Sequence, residues 1–133
     1  MNKEQEIRKL HKKGYNCAQA FLCVWSDELN IDKQKLFKLS EGLGRGVGGL
    51  EDMCCIPIIS SMIVSFLETS DSNLENPQTK LESYACAKCL AMEFKDEYRS
   101  LKCSDILKTN CKERCCTDVL VGGYKMLRRC LDE

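Results

Sequence analysis

Asn16-Cys-Ala-Gln-Ala-Phe-Leu-Cys-Val-Trp-Ser-Asp-Glu-Leu29 is the stretch that decides the fold class. Its apolar residues Ala18, Phe21, Leu22, Trp25 and Leu29 recur at three- and four-residue intervals. That spacing gathers them on one face of an α-helix and would scatter them over both faces of a strand. Asn16 is a good N-cap, because its side chain can accept from backbone N–H groups that a first turn leaves unpaired. Cys17 thus opens a helix.

The same periodicity continues on either side. Upstream, Ile7 and Leu10 mark a short helix that stops at Gly14. Downstream, Asp32 caps a third helix through Leu36, Phe37, Leu39 and Leu43, which runs into Gly42-Leu-Gly-Arg-Gly-Val-Gly-Gly49. Pro57 sits where a proline is tolerated, in the first turn of a helix carrying Ile58, Met62, Ile63 and Leu67. Cys54 and Cys55 lie at its mouth. After a polar loop from Thr69 to Pro77, an amphipathic helix is expected over 78–98, with Leu81, Tyr84, Ala85 and Met92 inward and Cys86 and Cys89 riding on it. A short turn or helix follows Cys103, and a last helix over 116–131 uses Val119, Leu120, Met126, Leu127 and Cys130. No segment alternates as a strand does, and no repeat or boundary divides the chain. The reading predicts one all-α domain over 1–133, a bundle of about five or six helices.

At 133 residues with 44% hydrophobic and 30% charged residues, the chain can bury a core without help from disulfides. Twenty basic and twenty acidic residues cancel, which leaves no electrostatic footprint for nucleic acid and no basic stripe for an anionic membrane. Met1 to Lys13 is charged throughout and unlike a secretory signal. The longest apolar stretch, Ile56 to Leu67, is too short and too rich in serine for a membrane span. The expected compartment is the cytosol, where thiols stay reduced.

Eleven cysteines are therefore the anomaly. An odd number of cysteines in a domain that folds without staples points to metal binding or thiol chemistry. Cys23 and Cys130 lie well inside helices and read as small core hydrophobes. Cys17, Cys54, Cys55 and Cys103 each lie at or just before a helix start, where backbone amides and the positive end of the dipole favour a thiolate. Cys111-Lys-Glu-Arg-Cys115-Cys116 adds three sulfurs within six residues, with Lys112 and Arg114 as further thiolate-stabilising charges. Cys86-Ala-Lys-Cys89 puts two sulfurs on one helix face, equally suited to a disulfide, a pair of metal ligands or core packing. The glycine string at 44–49 follows a helix and not a strand, which argues against a dinucleotide-binding turn. It reads as a flexible turn that lets backbone pass close to Cys54. His11, the single histidine, reads as a solvated residue on a charged helix.

Gly14-Tyr-Asn-Cys17-Ala-Gln-Ala20, Glu41-Gly-Leu-Gly-Arg-Gly-Val-Gly-Gly49, Cys54-Cys-Ile-Pro-Ile-Ile-Ser60 and Leu101-Lys-Cys103-Ser-Asp-Ile-Leu107 follow one another in this chain. In that order they resemble the C_GCAxxG_C_C family of small helical redox-active proteins, over nearly the whole length. The central element keeps cysteine but not the flanking glycines and alanine of the family pattern. The last family cysteine corresponds to Cys111, Cys115 or Cys116. The resemblance implies redox activity without fixing the reaction.

Residues and resemblance together predict that Cys17, Cys54 or Cys55 or both, Cys103, and one or more of Cys111, Cys115 and Cys116 converge at one end of the bundle as a redox centre. Two chemistries are open: thiol–disulfide cycling through Cys17, Cys54, Cys55, Cys103 and Cys111, or electron transfer through an iron–sulfur cluster ligated by these cysteines with Cys115 and Cys116. The alternative from another class is a structural zinc held by four of the same seven sulfurs. The expected partner is a redox protein or a small thiol.

Overall fold

A computed structural model describes residues 1–111 and 116–133 of the chain; Lys112, Arg114 and Cys115 lie outside the described residues. The described chain is all-α. Its helices are α1 (Lys3–Lys13), α2 (Cys17–Cys23), α3 (Ser26–Leu29), α4 (Lys33–Ser40), α5 (Cys55–Val64), α6 (Lys80–Tyr98), α7 (Cys103–Asn110) and α8 (Thr117–Asp132). That is eight among the described residues, where the sequence pattern suggests five or six. The count rises because a helical pattern does not reveal a break of one or two residues. Val24 ends α2, and the chain restarts beyond Trp25 as the single turn α3.

Helix α2 is the centre of the bundle. Ala18 to Cys23 are all buried, so α2 packs on every side, against α1, α4, α5 and α8. Its start is fixed by a capping box. The Asn16 side chain accepts from the Gln19 N–H at 2.9 Å and the Gln19 side chain accepts from the Asn16 N–H at 3.0 Å. Both side-chain amides then reach out to the end of α4, Asn16 Nδ2 donating to Glu41 O at 2.8 Å and Gln19 Nε2 to Phe37 O at 3.2 Å. Asp32 caps α4 as the sequence suggests, accepting from the Lys35 N–H.

Around α2, Phe21, Trp25, Ile7, Ile59, Ile63, Phe94, Ile106, Leu120 and Leu127 form the fully buried core. Trp25 packs on the Tyr124 ring at 5.2 Å, and the Arg128 guanidinium lies 5.2 Å over the indole while pairing with Glu28 and Asp132.

Several residues expected inside are outside. Leu81, Tyr84 and Met92 are 72%, 64% and 57% exposed, and Ala85, Leu39 and Met62 are exposed with them. On α6 the inward stripe is instead Cys86, Leu90, Phe94 and Tyr98. This helix carries apolar residues on two faces, and periodicity alone cannot say which one α5 and α8 will cover.

Helix α8 carries two adjacent glycines because neighbours press on it. A Cβ on Gly123 would lie 2.5 Å from Ile56 Cγ2, and one on Gly122 would lie 1.9 Å from Tyr98 Oη. Ile56 is buried and cannot yield, whereas the half-buried Tyr98 can swing its ring end toward solvent. Gly123→Ala is expected to destabilise by about 1–3 kcal/mol in urea unfolding despite the better helix propensity of alanine. Gly122→Ala should cost less. A stabilising Gly123→Ala would contradict this packing.

Candidate functional site

The start of α2 is the first wall of the site. Cys17 stands at its first position, and its Sγ accepts a hydrogen bond from the backbone N–H of Arg45 at 3.3 Å. Arg45 reaches it because residues 45–49 form an unusual left-handed run. Arg45, Gly46, Val47, Gly48 and Gly49 have φ of 54°, 68°, 66°, 60° and 83°. A β-branched residue such as Val47 is strained there. The run is held by backbone bonds from Gly48 N to Gly42 O, Glu51 N to Arg45 O and Asp52 N to Gly46 O.

Glycine is needed at two of these positions for close approach. A Cβ on Gly44 would lie 2.7 Å from the Asn16 side chain. One on Gly46 would lie 2.5 Å from the Asp52 N and 2.7 Å from Cys103 Cβ. The segment is therefore a rigid wedge between Cys17 and Cys103. It is not the flexible turn expected from its composition.

Beyond the wedge the chain pairs with the segment before α7. Cys103 N donates to Asp52 O at 2.5 Å, Ser104 N to Glu51 O at 3.1 Å and Cys54 N to Leu101 O at 2.8 Å, with Met53 and Lys102 as an isolated antiparallel bridge. This short pairing sets the beginnings of α5 and α7 side by side. Cys54 caps α5, Cys55 opens it and Cys103 opens α7. Cys116 caps α8.

The beginnings of α2, α5, α7 and α8 thus face one cavity of about 410 Å³, into which Cys17, Cys54, Cys55, Cys103 and Cys116 project. Cys111 stands beside them, its Sγ 3.0 Å from that of Cys116. Of the seven sulfurs named from the sequence, six lie at or next to this cavity. Cys115 lies outside the described residues.

Helix starts do not make all these thiols alike. Cys17 is lowered to about 6, first by the Cys55 S–H, then by the Arg45 and Ala18 amides, which together overcome burial. Cys54 is lowered too, by Cys55 and the Ile56 N–H. Cys55 is raised well above the ordinary thiol value, because it donates to both neighbours and is buried. It has one proton for two acceptors, and Cys17, with more amides aimed at it, is the better thiolate.

Cys103 is pushed up to about 11 by burial and by negative charge at Cys54 and Cys17. Cys116 is raised by burial and by Cys111. The expectation that every helix-start cysteine has a depressed pKa is corrected for Cys55 and Cys103. A dipole end favours thiolate only where desolvation does not outweigh it.

Sequence reasoning missed three contributors. Arg45 acts through its backbone, which no side-chain motif can signal. The 51–54 and 101–104 pairing is too short to show alternation. His11 is half-buried, not solvated; its Nδ1 lies 2.7 Å from Thr117 Oγ1, tying α1 to the start of α8, and burial lowers its pKa. Cys23 is buried core, as expected. Cys130 is only half-buried. Among the described residues no group of three or more cysteine, histidine or carboxylate side chains stands in an arrangement that would hold a metal ion.

The wedge can be tested at two of its glycines. Gly46→Ala should cost about 3 kcal/mol in urea unfolding, combining left-handed strain with the clash. It should also raise the Cys17 pKa by displacing the Arg45 amide. Gly48 is left-handed too, but a Cβ there meets nothing nearer than 3.9 Å, so Gly48→Ala should cost only about 1 kcal/mol. Equal effects would show that the close approach to Cys103 is not what holds the segment.

Comparison with known proteins places the chain. No curated protein and no solved structure matches it. The family model described as "Putative redox-active protein (C_GCAxxG_C_C)" matches residues 15–130, a span that takes in α2, the left-handed wedge and every cysteine of the chain. On that match, the chain belongs to the C_GCAxxG_C_C family.

Proposed function

We propose that this protein is a thiol–disulfide redox protein in which Cys17 is the attacking thiolate and Cys55 the resolving thiol. The observation that carries the reading is the Cys17 sulfur itself, which receives the Arg45 N–H at 3.3 Å and the Cys55 S–H and is mostly thiolate at neutral pH. Its cavity is open to a small thiol or disulfide or to the disulfide of a partner protein. A reducing compartment such as the cytosol would return the thiols to the reduced state.

The step balances on the residues present. Cys17 S⁻ attacks one sulfur of a disulfide R–S–S–R, the S–S bond breaks and RS⁻ leaves. Cys55 then gives up its proton to that thiolate and attacks Cys17 Sγ, which expels the second RS⁻ and forms the Cys17–Cys55 bond. The protein loses two electrons and the substrate becomes two thiols. Cys54 competes with Cys17 for the same Cys55 proton. Cys111 and Cys116, with sulfurs 3.0 Å apart, are a second pair at the same cavity.

A second reading, metal ligation as an iron–sulfur cluster or a structural zinc, is favoured by the gathering of sulfurs from separate segments at one cavity. The described side chains do not supply three ligands in metal-binding geometry, so no step is derived through a metal.

Iodoacetamide labelling followed by peptide mapping tests the leading reading. Cys17 should be alkylated with a rate that rises through pH about 6 and levels off by about pH 8, while Cys103, held near 11, should stay slow over that range. Cys55→Ala removes the strongest donor to Cys17. It should shift the Cys17 profile upward in pH and leave a Cys17 mixed disulfide unresolved when a small disulfide is added. An unshifted profile would remove Cys55 from its role.

Purification under anaerobic conditions tests the second reading. A brown sample with visible charge-transfer absorption would replace thiol cycling by a cluster. A colourless sample with stoichiometric zinc would replace it by a structural site. A colourless, metal-free sample is the expected outcome.

A further inference from the structure

The second pair of sulfurs at the cavity is held by contacts of its own. Cys111 follows the last residue of α7 and Cys116 caps α8, and both are half-buried against the core. Asn110, one residue before Cys111, donates from Nδ2 to Tyr98 O at 3.1 Å, which ties the end of α7 to the end of α6. Beyond Cys116, Thr117 Oγ1 lies 2.7 Å from His11 Nδ1 and Asp118 pairs with Arg8 at 2.9 Å, which ties the start of α8 to α1. Neither set of contacts involves the other sulfur, yet together they bring the two Sγ atoms to 3.0 Å. Sulfurs held this close, each on a separately anchored backbone, have already lost most of the freedom that closing a ring removes.

We infer that Cys111 and Cys116 form a second redox site, a dithiol that small disulfides oxidise to a covalent latch between α7 and α8. Its chemistry needs only these two sulfurs and stands whether or not Cys17 cycles. The sulfur that accepts the shared hydrogen bond attacks, as thiolate, one sulfur of R–S–S–R, the S–S bond breaks and RS⁻ leaves. The donor sulfur passes its proton to that RS⁻ and attacks the first protein sulfur, expelling the second RS⁻. The protein loses two electrons, and R–S–S–R becomes RSH and RS⁻.

The position of the pair gives the bond a consequence at the cavity. Helix α7 supplies Cys103, Ile106 and Leu107 to the lining, and α8 with its cap supplies Cys116, Val119 and Leu120. The latch therefore joins two walls of one cavity, and it takes the Cys116 thiol out of the reacting set.

Cys115 names the competing outcome, since it stands next to Cys116 in the sequence. Trypsin puts Cys111 in the peptide 109–112 and both Cys115 and Cys116 in the peptide 115–125. Fragmentation of the linked peptides between residues 115 and 116 then tells which sulfur is joined, in the unaltered chain.

The test equilibrates the reduced, folded, full chain over a range of oxidised-to-reduced glutathione ratios, followed by quenching with N-ethylmaleimide, digestion and mapping. Peptide 109–112 should be recovered linked to 115–125 through Cys116, with a midpoint unchanged in Cys17→Ser and in Cys115→Ser. In the Cys17→Ser background the oxidised protein should melt on the order of 5 °C above the reduced one, and adding Cys111→Ser should remove that gain. A link through Cys115 would overturn the inference, as would Cys111 and Cys116 both alkylated, or each bound to glutathione, at the most oxidising ratio. A pair that reacts with neither glutathione nor N-ethylmaleimide, as sulfurs on a metal would behave, overturns it too. So does a melting gain left intact by Cys111→Ser. Failure of Cys17 to react would overturn the thiol-cycling proposal and leave this one standing.

Discussion

The cavity depends on the approach of the 45–49 backbone to Cys103. Only a left-handed run lets the chain turn back tightly enough for the Arg45 amide to face Cys17 while Gly46 lies against Cys103 Cβ. The same turn sends residues 51–54 alongside 101–104, and that pairing aligns the starts of α5 and α7. A side chain at Gly46 would push the wedge off Cys103, remove the donor from Cys17 and part the two helix starts. Strain at Val47 is tolerated because bonds to 42, 45 and 46 fix the backbone on both sides of it.

With the helix starts held together, unpaired amides and dipole ends are concentrated around a small apolar cavity. This environment works in two directions. It stabilises negative charge on any sulfur that amides can reach, and by excluding water it penalises charge on any they cannot. Cys17 and Cys103 both occupy the first position of a helix, yet one is drawn down to about 6 and the other pushed up to about 11. The difference is the donors: Cys17 has Cys55 and Arg45, while Cys103 faces the negative charge that Cys17 and Cys54 carry. An attacking thiolate beside thiols that still hold their protons, as Cys55 and Cys103 do, is the charge distribution that the proposed disulfide exchange needs.

Most of the fold was legible in the sequence because α2, α4 and α8 carry apolar residues at helical spacing, and α2 and α4 have side-chain caps where the pattern begins. Asn16 and Asp32 cap as expected. Helix α6 was not legible because Leu81, Tyr84 and Met92 form a stripe as regular as Leu90, Phe94 and Tyr98, and only tertiary packing chooses between them. At the site, positions were legible and protonation was not. Cysteine before an apolar run marks a helix start, but the pKa of each thiol depends on which neighbour donates to it. Arg45 illustrates the limit: its contribution is a backbone N–H, available to any residue that could adopt its conformation.

Cys130 illustrates the opposite limit. A cysteine well inside an amphipathic helix reads as core because nothing in the sequence indicates which residue of another helix it will meet. Cys86 was visible only as half of a C-x-x-C spacing that pointed to Cys89. Packing of α6 on α8 breaks that spacing apart, since positions three residues along a helix share a face only loosely, and here one is half-buried and the other exposed. Helix α8 carries a sulfur near each end, Cys116 capping the start at the cavity and Cys130 half-buried near the other. Gly123 against the buried Ile56 sets how closely that helix approaches α5 near its middle, so the place of Cys116 at the cavity rests on packing that a side chain at 123 would disturb.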